Sequence, residues 1–98
     1  MYTLKLLKRA ENELYQACEW YEEKRKGLAR RFLREVYARF NTIAKNPKLY
    51  QVRGNGNLRF SPLKKFPFVI IYWFDDNLST VFVVSVFHTS REPFIQDR

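Results

Sequence analysis

The chain has 98 residues, 46% hydrophobic and 29% charged, which predicts one self-folding domain over residues 1–98 and excludes a second domain or a disordered tail-like chain. Eighteen Lys and Arg against ten Asp and Glu give a net charge of +8, pointing to a polyanion or an acidic protein as partner. The single Cys18 excludes an internal disulfide or a cysteine-rich zinc site, and the single His88 argues against a histidine-based metal centre, so no metal or other cofactor is expected.

Tyr2 to Leu7 opens the chain as a short apolar run, with Leu4 and Leu6 opposite Thr3 and Lys5, which predicts a strand. From Ala10 the apolar spacing lengthens to Ala10, Leu14, Ala17, Cys18 and Tyr21, the stripe of an amphipathic helix ended by Gly27, with Cys18 expected in the core. A second stripe at Leu28, Phe32, Leu33, Val36, Phe40 and Ile43 stops at Asn46-Pro47, because a residue before proline is pushed out of the α region. The two helices are expected to lie antiparallel across a short turn.

Leu49 to Asn57, with Gly54-Asn55-Gly56, carries turn chemistry and reads as the most mobile segment. A strand follows around Leu58 and Phe60, then the apolar runs Phe66–Phe74 and Thr80–His88, joined by Asp75-Asp76-Asn77 as a hairpin. The order strand, helix, helix, strand, strand, strand defines an α+β class, with two antiparallel helices packed on one face of a mostly antiparallel sheet. The last two strands are apolar at nearly every position, so a second apolar face is expected, and a partner is the favoured cover for it. The run Phe66–Phe74 contains Pro67 and falls far short of the ~20 residues of a membrane helix. The first residues lack the basic and long apolar regions of a signal peptide, so the expected location is the cytoplasm.

Nine basic residues and one acid, Glu35, lie between Lys24 and Lys48, a surplus equal to that of the whole chain. On helical spacing Arg30, Arg31 and Arg34 fall off the core stripe and form a basic ridge, either a solvated face or a contact for phosphate or carboxylate groups. A second polar set comprises Arg59 on the strand that follows the helices, Lys64 and Lys65 in the following loop, His88 at the end of the last strand, and Arg91. Were the strand ends to bring them together, the cations would hold a phosphate and the imidazole would move a proton. RNA cleavage at such a site would use His88 as acid with Arg59 and Arg91 stabilising charge, but no base is evident. The alternative is structural: a histidine closing an apolar strand, and an Arg59 packing its stem on the sheet.

Several elements together carry a family resemblance: Ala10-Glu11-Asn12-Glu13-Leu14 and Trp20-Tyr21-Glu22, then Gly27-Leu28-Ala29 with Arg31-Phe32-Leu33, and Ile43 with Asn46-Pro47 and Tyr50. Arg59, Phe66-Pro67-Phe68 with Ile71-Tyr72, and Val86-Phe87-His88 with Arg91 and Pro93 complete the set. In this order the chain resembles the RelE/ParE superfamily of toxins from type II toxin–antitoxin systems, most closely its ParE-like branch. The resemblance implies a small α+β toxin in a hetero-oligomer with a cognate antitoxin, with Arg30, Arg31 and Arg34 as antitoxin contacts that an acidic chain would match. It implies DNA gyrase as the target of a binding poison. The alternative implied is cleavage of messenger RNA on the ribosome, with His88, Arg91 and Arg59 catalytic and Arg59, Lys64, Lys65 and Arg91 binding target or phosphate. RNA-cleaving members often carry a tyrosine near the C-terminus, whereas the last tyrosine here is Tyr72.

Overall fold

The computed structural model describes residues 1–90. Its elements are β1 (Thr3–Leu6), α1 (Lys8–Lys24), α2 (Leu28–Lys45), β2 (Arg59–Pro62), β3 (Phe68–Asp75) and β4 (Thr80–His88). One four-stranded sheet has the order β1-β4-β3-β2. β3 pairs antiparallel with β2 and β4, while β1 pairs parallel with β4, Leu4 opposite Val81 and Leu6 opposite Val83. The expected α+β order therefore holds, with one parallel pair at the edge of a mostly antiparallel sheet.

The helices form where the apolar spacing places them. Ala10, Leu14, Ala17 and Tyr21 of α1 and Phe32, Val36, Phe40 and Ile43 of α2 are buried against Phe68, Ile70, Tyr72, Val81, Val83 and Val86 of the sheet. Tyr21, Phe32, Phe66 and Phe68 meet edge-on or tilted, with centroids 5.1 Å apart for Tyr21–Phe32 and 4.9 Å for Phe32–Phe68. Such pairs add about 0.5–1.5 kcal/mol each beyond the area they bury. Cys18 is only half-buried, at the margin of this core, and its burial raises the thiol pKa.

Two boundaries differ from the sequence reading. Gly27 does not end α1, which stops at Lys24; it sits in the left-handed region at φ 88° and is the N-cap of α2. A glycine has no side chain to cap with, and the carboxylate of Glu22 replaces it, accepting from the Gly27 and Ala29 amides at 3.0 and 3.2 Å. These backbone donors, Gly27 first, hold the Glu22 carboxyl below its ordinary pKa. β3 starts at Phe68 rather than Phe66, because Pro67 has no N–H for the ladder. The Pro67 carbonyl instead accepts from the Thr89 amide at 2.8 Å.

The loop after α2 is tied down at its base. Val52 bridges to Arg59, the Arg53 amide donates to the Leu58 carbonyl at 2.9 Å, and the buried Tyr72 hydroxyl donates to the Pro47 carbonyl at 2.7 Å. On the face away from the helices, Trp73 stacks on Phe82 with centroids 4.6 Å apart, and Val69 and Ile71 beside them are buried. The expected second apolar face exists, but its centre is closed and only its aromatic margin is partly open. No helix among the described residues is long and apolar enough to cross a membrane.

Candidate binding groove

A helix exposes a new side every few residues, and the side of α2 next to its core stripe carries Leu28, Arg31, Glu35, Ala38 and Thr42, with Arg34 and Arg39 beside them. These residues form one wall of a groove of about 660 Å³, and the loop between β2 and β3 brings Lys64, Lys65 and Phe66 to it. Glu35 holds the loop in place. Its carboxylate accepts from the Lys64 amide at 2.6 Å and from the Lys65 amide at 3.2 Å. The one acid in the basic block is thus engaged by backbone amides rather than by a side-chain ion pair. Among the described residues the side-chain ion pairs are Lys8–Glu11 and Arg9–Glu13, both on α1 and away from the groove.

Arg39 anchors the floor, donating to the Ser61 hydroxyl at 2.8 Å and to the Pro62 carbonyl, with its guanidinium 5.5 Å from the Tyr50 ring centre. The basic ridge expected from the sequence is split. Arg31 and Arg34 face the groove, whereas Arg30 lies outside its lining and on the side of Glu22, whose carboxylate it helps keep ionised.

The convergence of Arg59 with the lysines and His88, which the sequence left open, does not occur. Arg59 pairs with Tyr72, while His88 pairs with Phe68 on the other side of β3. That separates them by about 13 Å along the strands and about 10 Å across two strand spacings. The Arg59 guanidinium is engaged internally: it donates to the Tyr50 carbonyl at 2.7 Å and lies 5.3 Å from the Phe74 ring centre. Register decides this, and register is not legible in residue spacing. Neither Arg59 nor His88 lines the groove that Lys64 and Lys65 enter. Arg91 lies outside the described residues.

His88 borders a smaller cleft with Glu13, Gln16, Ala17, Phe68, Val86 and Phe87. Its ring meets Phe68 edge-on at 4.9 Å, and Nδ1 accepts from the Ser90 amide at 3.1 Å, which assigns the proton of the neutral ring to Nε2. Glu13, which lines this cleft, is engaged as well: it accepts from the Ser85 hydroxyl at 2.7 Å, the Val86 amide at 2.9 Å and Arg9 at 3.2 Å. Tyr72 is fully buried, and burial pushes its hydroxyl up to about 12 against the opposing charge of Arg59. No group of three metal-ligating side chains occurs among the described residues.

Sequence reasoning missed Glu35, Arg39 and Phe66 as groove residues. The isolated position of Glu35 within a basic block was the available signal, since an acid among nine cations has a local reason to be there.

Fold and groove together define a small basic α+β domain that presents a cationic trough on its second helix. Residues 4–93 match the family model described as the ParE toxin of the type II toxin–antitoxin system parDE. The chain belongs to the ParE toxin family. Among solved structures, it is similar to the chromosomal ParDE toxin–antitoxin system of P. aeruginosa, with a TM-score of 0.77 and 13% identity over 92% of this chain and 98% of that one. It is also similar to the intact RelBE toxin–antitoxin complex of E. coli, at TM-score 0.66 and 22% identity over 93% and 100% of the two chains. The isolated E. coli RelE toxin gives TM-score 0.66 and 20% identity over 99% and 94%. At these identities the solved structures establish the shared fold. No curated protein sequence matches the chain.

Proposed function

We propose that this toxin arrests growth by binding and poisoning a DNA topoisomerase, gyrase foremost, and that a cognate antitoxin neutralises it in the cytoplasm. The observation that carries the reading is the dispersal of its candidate catalytic groups. Arg59 is tied to the Tyr50 carbonyl, and His88 stands two strands away beside a Glu13 already engaged by Ser85, Val86 and Arg9. Acid–base catalysis needs proton donor and acceptor within hydrogen-bond reach of one substrate position. The cations gather instead in a groove, an arrangement suited to binding. The family model names a toxin whose system is parDE, and the similar P. aeruginosa and E. coli structures are toxin–antitoxin systems, which supports the antitoxin as partner.

The test pairs two assays on the antitoxin-free protein, supercoiling by gyrase and translation of a defined messenger on ribosomes. Inhibited supercoiling with intact message is the expected result. Site-specific cuts in the message would overturn it in favour of an RNA-cleaving toxin, and inactivity in both would overturn poisoning altogether.

A further inference from the structure

We infer that the sheet face turned away from the helices is where the toxin takes its target, as a docking surface for a protein patch that is apolar at its centre and acidic at both ends. This rests on the reading of the toxin as a binding poison, and it gives that reading a surface and a partner chemistry. Register puts five residues in one line across this face. Lys5 pairs with Phe82, and Phe82 with Trp73. Arg59 pairs with Tyr72, so Leu58 falls beside Trp73, and the Arg53 amide donates to the Leu58 carbonyl at 2.9 Å. The line therefore reads cation, ring, ring, leucine, cation, about 19 Å long at four strand spacings.

Its middle is apolar and partly open. Trp73 and Phe82, stacked with centroids 4.6 Å apart, are half-buried, as is Leu58, and Val69 and Ile71 beside them are closed. Lys5 and Arg53 at the two ends are exposed. The Arg53 guanidinium lies 5.5 Å from the Phe60 ring centre, which continues the patch along β2. The nearby acids are already in use: Asp75 accepts from the Leu78 amide at 3.1 Å, and Asp76 accepts from the Tyr2 hydroxyl. Trp and Arg are over-represented among the residues that dominate interface energies, while flanking charges set orientation and association rate.

Charge and ring geometry choose between three occupants. A second copy would bring the same cations against this line, on a chain that already carries +8, and like charges facing one another oppose association. Single-stranded nucleic acid stacks its bases on open ring faces and neutralises phosphates along its length. Here Trp73 and Phe82 turn a face to each other, Arg53 covers Phe60, and the cations of the line stand only at its ends. A protein patch with apolar side chains between two acidic flanks satisfies both the rings and the cations.

The experiment titrates toxin into gyrase supercoiling reactions and, in parallel, scores growth arrest at matched soluble expression. Trp73→Thr is expected to raise the toxin concentration for half-inhibition at least about tenfold. Lys5→Glu with Arg53→Glu, both exposed, should raise it at least about fivefold, by a margin that narrows as salt is added. Lys5→Arg with Arg53→Lys, which keep the charges, should change it less than about twofold, as should Tyr15→Ser on α1, 66% exposed and off this face. Thermal melts confirm folding, and the charge reversal carries the test where Trp73→Thr fails to fold. Wild-type inhibition that both face variants retain would overturn the proposal and leave the poison reading standing. A wild type that arrests growth without inhibiting gyrase would overturn gyrase as target, and the growth-arrest series then decides the face: arrest lost in both face variants supports it, and arrest retained overturns it. A wild type inert in both assays would overturn both readings. A toxin dimer in sedimentation that Trp73→Thr dissolves, or a single-stranded oligonucleotide whose binding Trp73→Thr abolishes, would give the face to a second copy or to nucleic acid and overturn the proposal.

Discussion

Tyr72 shows how a single hydroxyl joins distant parts of the chain. Its ring lies in the core, and its O–H donates to the carbonyl of Pro47, which is itself buried, in the loop after α2. Removing the donor leaves a buried carbonyl unsatisfied, which costs about 1–3 kcal/mol. Tyr72→Phe is expected to lower the unfolding free energy by that amount in urea titrations, with the β-sheet signal retained. The pH dependence has a definite sign. The folded pKa of about 12 lies above the ordinary 10.0, so the contribution is complete below pH 10 and is lost as pH rises toward 12. Tyr72→Phe should remove that alkaline loss, and an unchanged alkaline limb would assign it to other groups. At His88 the expectation concerns function. His88→Ala should leave growth arrest intact at matched soluble expression, because binding needs no proton transfer. Loss of arrest with antitoxin affinity preserved would count against the poison reading.

At the scale of elements, two carboxylates from α1 do work that the sequence pattern assigns to no one. Glu13 reaches from α1 to β4 and takes both the Ser85 hydroxyl and the Val86 amide. Glu13→Ala leaves the buried Val86 amide without this acceptor, and a loss of about 1–3 kcal/mol is expected in denaturant unfolding; Glu13→Gln, which keeps one acceptor oxygen, should lose less. Glu22 caps the neighbouring helix α2. Because its carboxyl is held below the ordinary range by the Gly27 and Ala29 amides, its stabilisation is present above the ordinary carboxylate pKa and disappears as pH falls through the lowered value. Melting temperatures of Glu22→Gln should therefore fall below wild type at neutral pH and converge with it in acid. A constant difference across that range would rule out the cap as the cause.

Those same contacts mark the limit of what was legible in the sequence. The stripes Ala10–Tyr21 and Leu28–Ile43, the hairpin turn at Asp75-Asp76-Asn77 and the order of elements along the chain were all readable, because each is a periodicity or a turn signal within one segment; the order of strands in the sheet, with β1 beside β4, was not. The site was not. Arg59 and His88 look like partners in a linear reading, yet the pairing of Arg59 with Tyr72 and of His88 with Phe68 separates them. Glu35 and the Lys64 amide lie 29 residues apart and meet across two elements. Neither fact leaves a local trace. Gly27 was misassigned for the same reason: the residue that caps α2 is on α1.

For the whole molecule the consequence is electrostatic. The surplus of +8 is concentrated between Lys24 and Lys48, and Arg31 and Arg34 face outward with Lys64 and Lys65. An acidic partner is drawn to such a surface from beyond contact range, within a Debye length of about 10 Å at 0.1 M salt. Stopped-flow mixing with antitoxin should give an association rate that falls at least about tenfold between about 0.05 and 0.5 M salt, while dissociation changes less. A salt-independent association rate would return the ridge to an ordinary solvated face.

The order of the sheet also sets a clock. β1 is made first, yet its only partner in the sheet is β4, which is made after the other three strands. At about 5–20 residues per second, several seconds of synthesis separate the two. Throughout that interval β1 has nothing to pair with and the helices have no completed surface to cover. A nascent chain therefore cannot close its sheet until β4 emerges, and until then the apolar stripes of both helices have no finished face to pack against.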